Sequence, residues 1–163
     1  MTLTLRLLVA FGLTWAVGFE RELRGSAAGD RTFSLVGIAS AVIGYLALDG
    51  APNALAGVVT GIGFIGAGVI VHGDRPNRPA SPGGTDMGSS GVGVIKGVTT
   101  AATIYIAAAI GAAAGQGHLL LATEATLACL LLLEVRHQRW MRVFDGRYWR
   151  DRLQMTDDDI GDM

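Results

Sequence analysis

The sequence predicts an all-α fold, a polytopic membrane helix bundle of about five transmembrane helices, and two observations carry that prediction. Apolar residues gather in blocks of about 15–18, near the lower limit for crossing ~30 Å of hydrocarbon at 1.5 Å per residue. Basic residues occupy alternate connections between those blocks, as expected when every second connection stays in the cytoplasm. Composition agrees: 50% of the 163 residues are hydrophobic, 17% are charged and the mean hydropathy is +0.43, which leaves too little polar surface for a water-soluble domain.

The spans are expected at Leu3–Phe19, Phe33–Leu48, Ala54–Val71, Val98–Ala114 and Leu119–Leu133. The first is a retained helix and not a cleaved signal, because Arg6 lies within it and the charged run Glu20-Arg21-Glu22-Leu23-Arg24 follows it. Arg21, Arg24 and Arg31 separate spans one and two, Arg75, Arg78 and Lys96 separate three and four, and a run of arginines from Arg136 to Arg152 follows five. The connections at residues 49–53 and 115–118 contain neither Lys nor Arg. This pattern places the N-terminus outside and the C-terminus in the cytoplasm.

Residues 1–135 then form the transmembrane domain, including a Pro-, Gly- and Ser-rich cytoplasmic loop at 72–97 that is expected to be mobile. Residues 136–154 interleave arginines with Trp140, Phe144, Tyr148 and Trp149, the composition of an interfacial helix on anionic lipid and not of a nucleic-acid surface. Residues 155–163 are read as a disordered acidic tail, since Asp157-Asp158-Asp159 lacks the alternating spacing of a calcium loop.

Span three holds the densest pattern, with Gly57, Gly61, Gly63, Gly66 and Gly68 in twelve residues. Gly61, Gly63 and Gly66 match a dinucleotide fingerprint in spacing, but that fingerprint needs a strand before it and a helix after it, and here the setting is one apolar block. Small residues along a helix let two backbones approach in lipid, so the stripe is expected to make span three a central packing helix, with the alanine-rich span four as its partner. Local unwinding that bares carbonyls is the alternative.

Two ionisable residues interrupt the spans. Arg6 and Glu124 fall at similar depths from the outer ends of spans one and five, and an intramembrane charge pair between them is expected, because an unpaired charge there costs several kcal/mol. Arg6 snorkelling to the headgroups and Glu124 serving a cation or proton path are the other readings. At the cytoplasmic side, Glu20, Arg21, Glu22 and Arg31 lie in a connection that faces Thr99 and Thr100 at the start of span four. The hydroxyls and free amides of that helix start are expected to receive Glu20 or Glu22. Nothing resembles an enzyme: His72, His118 and His137 fall in different segments, no serine or cysteine has a base at a suggestive spacing, and the lone Cys129 is expected to be an apolar packing residue.

Four segments in order resemble the MgtC/SapB family of bacterial membrane proteins. They are Gly18-Phe19-Glu20-Arg21-Glu22, Ala28-Gly29-Asp30-Arg31-Thr32, Gly61-Ile62-Gly63-Phe64-Ile65-Gly66-Ala67-Gly68, and Gly97-Val98-Thr99-Thr100-Ala101-Ala102. The resemblance spans roughly residues 3–135 and implies the family's hydrophobic N-terminal module, in the bacterial inner membrane. It adds Thr32 to the cytoplasmic polar cluster, and it implies a link to growth under magnesium limitation, with no cofactor beyond that Mg2+ link. It also implies a non-enzymatic regulator that contacts the lipid bilayer, a second copy as a homo-oligomer (dimer), or a larger membrane complex such as the proton-translocating ATP synthase. A magnesium or proton transporter is the alternative. Phe33 stands where many members have histidine, the connection after span three is longer than usual, and the soluble C-terminal domain of larger members is expected to be absent.

Overall fold

The computed structural model describes residues 2–72 and 97–135; the expectations for most of the 72–97 loop, the 136–154 segment and the 155–163 tail lie outside the described residues. Among the described residues the protein is all-helical, with α1 (Leu3–Leu23), α2 (Asp30–Leu48), α3 (Ala54–His72), α4 (Val98–Gln116) and α5 (Leu119–Val135). These match the five expected spans in order and nearly in length. Helices α1, α2 and α4 are long and apolar enough to cross a bilayer, and the apolar part of α3, Ala54–Ile70, is somewhat shorter. Both ends of the first connection differ from expectation. The run Glu20–Leu23 continues α1, and Asp30 and Arg31 already belong to α2, so only residues 24–29 turn the chain. Helix formation there satisfies backbone groups that a loop would leave to water, and Gly25 supplies the left-handed residue (φ +65°) that reverses direction.

The chain divides into two compact units, Met1–Thr126 and Leu127–Met163. The first unit holds α1–α4 and the start of α5, and α2 and α4 form its principal interface. A Cβ on Gly111 would run into the Gly37 carbonyl, and one on Gly115 into the Ala41 carbonyl. Both contacts advance four residues in the same direction, so α2 and α4 run parallel, joined by Gly37-x-x-x-Ala41 against Gly111-x-x-x-Gly115. This is close approach through small residues, which supplies dispersion contact where lipid offers no hydrophobic drive. Gly44 extends the seam against the Ala112 backbone. Helix α1 leans on α2 through Gly37, beside the buried Thr14, and through Gly18, where an added Cβ would lie 2.8 Å from that of Phe33. At one end of the unit Ala10, Ala41, Ile110, Ala114 and Ala122 close a small-residue core from four helices.

Helix α3 is peripheral, which corrects its expected central place. Among the described residues a Cβ on Gly57, Gly61, Gly63 or Gly68 would meet nothing within 4 Å, whereas one on Gly66 would meet Ala101 of α4 at 3.4 Å. Gly57 and Gly61 line the groove between α3 and α2, whereas Gly63 lies about 200° round the helix from Gly61, so the glycines do not share one packed face among the described residues. Grooves of about 310 Å³ against α4 and 360 Å³ against α2 flank α3, with Val58 and Ile62 lining both. Phe64 is 84% exposed on this helix.

These glycines are thereby separable by experiment. Gly115→Leu drives a side chain into the Ala41 carbonyl and is expected to cost about 3 kcal/mol or prevent folding, whereas Gly61→Ala enters open space and is expected to shift stability by less than about 1 kcal/mol. Thermal unfolding of the two purified variants in one detergent makes the comparison.

Candidate functional site

The expected cytoplasmic cluster assembles at the end of the bundle where α1 stops and α2 and α4 begin. Glu22 reaches across the turn and its Oε2 accepts the Asp30 backbone N–H at 3.1 Å, capping α2, whose own N-cap residue is Gly29. Gly29 has to be small: a Cβ there would collide with that carboxylate. Asp30 in turn accepts the Arg31 N–H at 2.6 Å, placing a second carboxylate in the first turn of α2, where the helix dipole favours it. Glu22, Ser26, Asp30, Arg31 and Thr32 line an open, largely polar cleft of about 510 Å³.

A hydroxyl relay joins this turn to α4. Arg21 Nη2 donates to Ser26 Oγ at 3.3 Å, and Ser26 Oγ meets Thr100 Oγ1 at 3.0 Å across 74 residues of sequence. Thr100 therefore joins the cluster through Ser26, a residue the sequence did not single out. Thr99 is exposed, and its carbonyl accepts the Thr103 hydroxyl. Glu20 forms an ion pair with Arg24 one turn on, yet both carboxylate oxygens are shielded from solvent without an aligned hydrogen bond, and so is Arg21 Nε. Neither glutamate bonds to the start of α4 as expected; Glu22 is used by α2, and the helix start is met by a neutral hydroxyl instead.

The opposite end does not bring Arg6 and Glu124 together. Among the described residues no ion pair joins Arg6 to Glu124. Arg6 Nη1 donates to the Gly115 carbonyl at 2.9 Å, and its guanidinium lies 6.0 Å from the Tyr45 ring centre. The physical reason is the end of α4. Gly117 (φ +90°) terminates the helix, the Gly117 and His118 N–H groups take the Ala114 and Ala113 carbonyls, and Arg6 takes the next one. A cation at the negative end of the helix dipole satisfies an otherwise orphaned acceptor, which competes well with a carboxylate on another helix. Glu124 is exposed on α5, and among the described residues it forms no hydrogen bond or ion pair. Among the described residues no three His, Cys, Asp or Glu side chains gather as a metal site, and Cys129 is buried.

The family profile of MgtC matches residues 7–140, a range that takes in both ends of the bundle. The chain belongs to the MgtC family. Within this family it is 35% identical over 167 residues to YhiD of Escherichia coli (strain K12), named as a candidate magnesium transporter, covering 93% of this chain and 67% of that protein. It is 34% identical to Protein SrpB of Synechococcus elongatus, covering 86% and 80% of the two chains. Protein MgtC of Brucella abortus (strain 2308) is also 34% identical, but the match covers 77% of this chain and only 46% of that longer protein. No solved structure matches the chain. Within this MgtC-family fold the capping glutamate Glu22, the turn Gly25–Gly29 and Thr100 become one connected unit.

The relay has a direct thermodynamic signature. Ser26→Ala and Thr100→Ala are each expected to cost about 1 kcal/mol, and the double variant little more than either one, because both remove the same hydrogen bond. A double-mutant cycle by thermal unfolding in detergent reads the coupling.

Proposed function

We propose that the chain is a non-enzymatic regulator of the bacterial inner membrane, linked to magnesium limitation, that acts through helix contacts with membrane partners. On this reading it crosses the membrane five times, with the N-terminus outside and the C-terminus in the cytoplasm. The observation that carries it is the small-residue surface of α3, where among the described residues an added Cβ on Gly57, Gly61 or Gly63 would meet nothing, although the bundle's own glycines elsewhere are used for close packing. In lipid such a face favours association with another helix by dispersion and close backbone approach. The partner is a second copy or a larger membrane complex, the proton-translocating ATP synthase being the one that the resemblance implies. The polar cleft with Glu22, Arg31 and Thr32 faces the cytoplasm and is the place where such a contact is sensed.

Transport of magnesium or protons is the second reading, favoured by the name of the Escherichia coli relative and by the solvent-shielded carboxylate of Glu20. Two measurements separate them. Tagged chain extracted from native membranes in intact detergent complexes is expected to bring down a membrane partner, and purified chain in liposomes is expected to carry no Mg2+ or proton flux. Flux that disappears in Glu124→Gln establishes transport instead. For topology, a cysteine placed in the 49–53 connection is expected to react with an impermeant thiol reagent in intact cells, and one at Ala27 only after the membrane is opened.

A further inference from the structure

Arg6 and Glu124 lie at one end of the bundle, and each has unmet bonding capacity. Arg6 contacts the last turn of α4, and α5 begins three residues beyond Gln116, so the starts of α1 and α5 are neighbours. By helical rise Arg6 is about 4–5 Å along α1 and Glu124 about 7–8 Å along α5. One guanidinium nitrogen of Arg6 is used by Gly115; among the described residues Nη2 makes no hydrogen bond, and Nε is shielded inside the chain. Glu124 carries its carboxylate on an apolar face beside the exposed Leu120 and Leu121. A carboxylate at that depth in lipid needs a cation or donors, and the outer connections at 49–53 and 115–118 carry no Lys or Arg.

We propose that two copies of the chain pair through reciprocal ion pairs, Glu124 of each copy accepting from Arg6 of the other. A two-fold axis makes such contacts in duplicate, so one operation pairs both carboxylates, each with the Nη2 edge of the other copy's Arg6. A foreign helix bearing a cation answers Glu124 alone and leaves Arg6 as it is. Charge complementarity at matched depth therefore selects the second copy, and it explains why two charges that sit at one end of the molecule do not meet within it. The inference adds a contact between copies at α1 and α5, distinct from the α3 surface, and it rests on the proposed helix-association role and on its membrane placement.

The test uses the full chain in lipid nanodiscs and vesicles. Glu124→Gln changes an exposed side chain and is expected to leave folding intact while weakening the dimer by about tenfold, read as donor–acceptor energy transfer between labelled copies. In a Cys129→Ser background, Arg6→Cys in one tagged copy and Glu124→Cys in a differently tagged copy are expected to form a disulfide between the two tags on oxidation. An unchanged dimer in Glu124→Gln overturns the proposal, as does a disulfide that forms only within a single chain carrying both cysteines. A monomeric chain whose Glu124→Gln variant loses a different membrane protein also overturns it, by assigning the carboxylate to a foreign helix. A partner brought down from native membranes by a chain whose copies do not pair overturns the pairing and leaves the regulatory reading in place, so the two failures are distinguishable.

Discussion

The contact on which the rest of the bundle depends is the parallel seam between α2 and α4. Two helices meet there at backbone distance, because Gly37, Gly111 and Gly115 present no side chain at the points where carbonyls of the other helix arrive. Everything else is arranged around that seam: α1 covers one side through Gly18 and Thr14, and α3 flanks the other. Parallel neighbours cannot be joined by a short turn, so the chain has to travel back along α3 before α4 begins. The peripheral position of α3 follows from that connectivity, and so do the grooves beside it.

Helix number, order and limits were legible in the sequence because they depend on the solvent. Each of the five apolar blocks became a helix, since no other backbone arrangement satisfies every N–H and C=O within an apolar segment. Which glycines pack was less legible. The stripe in α3 was the more conspicuous, yet the spacing Gly111-x-x-x-Gly115 in α4, with Gly37-x-x-x-Ala41 in α2, carried the contact. Glycine spacing identifies a face that permits close approach, and only the arrangement of the other helices decides which permissive face is used.

The candidate site was half legible for a related reason. Glu20, Arg21, Glu22, Arg31 and Thr100 were recognisable by type and position, and they share one end of the bundle. What escaped was the identity of the partners. Glu22 bonds a backbone N–H, Arg6 bonds a backbone carbonyl, and Ser26 provides the link to Thr100. Backbone groups are the same at every position and leave no trace in a sequence, so pairing charges by sign alone favoured side-chain pairs that the fold did not make. The one available clue was Gly117-His118, a terminator that predicts where α4 ends and so where free carbonyls gather.

The bond between Arg6 and Gly115 joins residues 109 positions apart, and this has a consequence for synthesis. The first helix enters the bilayer with its cation long before the end of the fourth helix exists. At roughly 5–20 residues per second the interval lasts on the order of 5–20 s. During that time the guanidinium has to be held by headgroup phosphates, by water or by the insertion machinery. The first helix is the earliest to be made, yet its depth in the membrane becomes fixed only when the end of the fourth arrives.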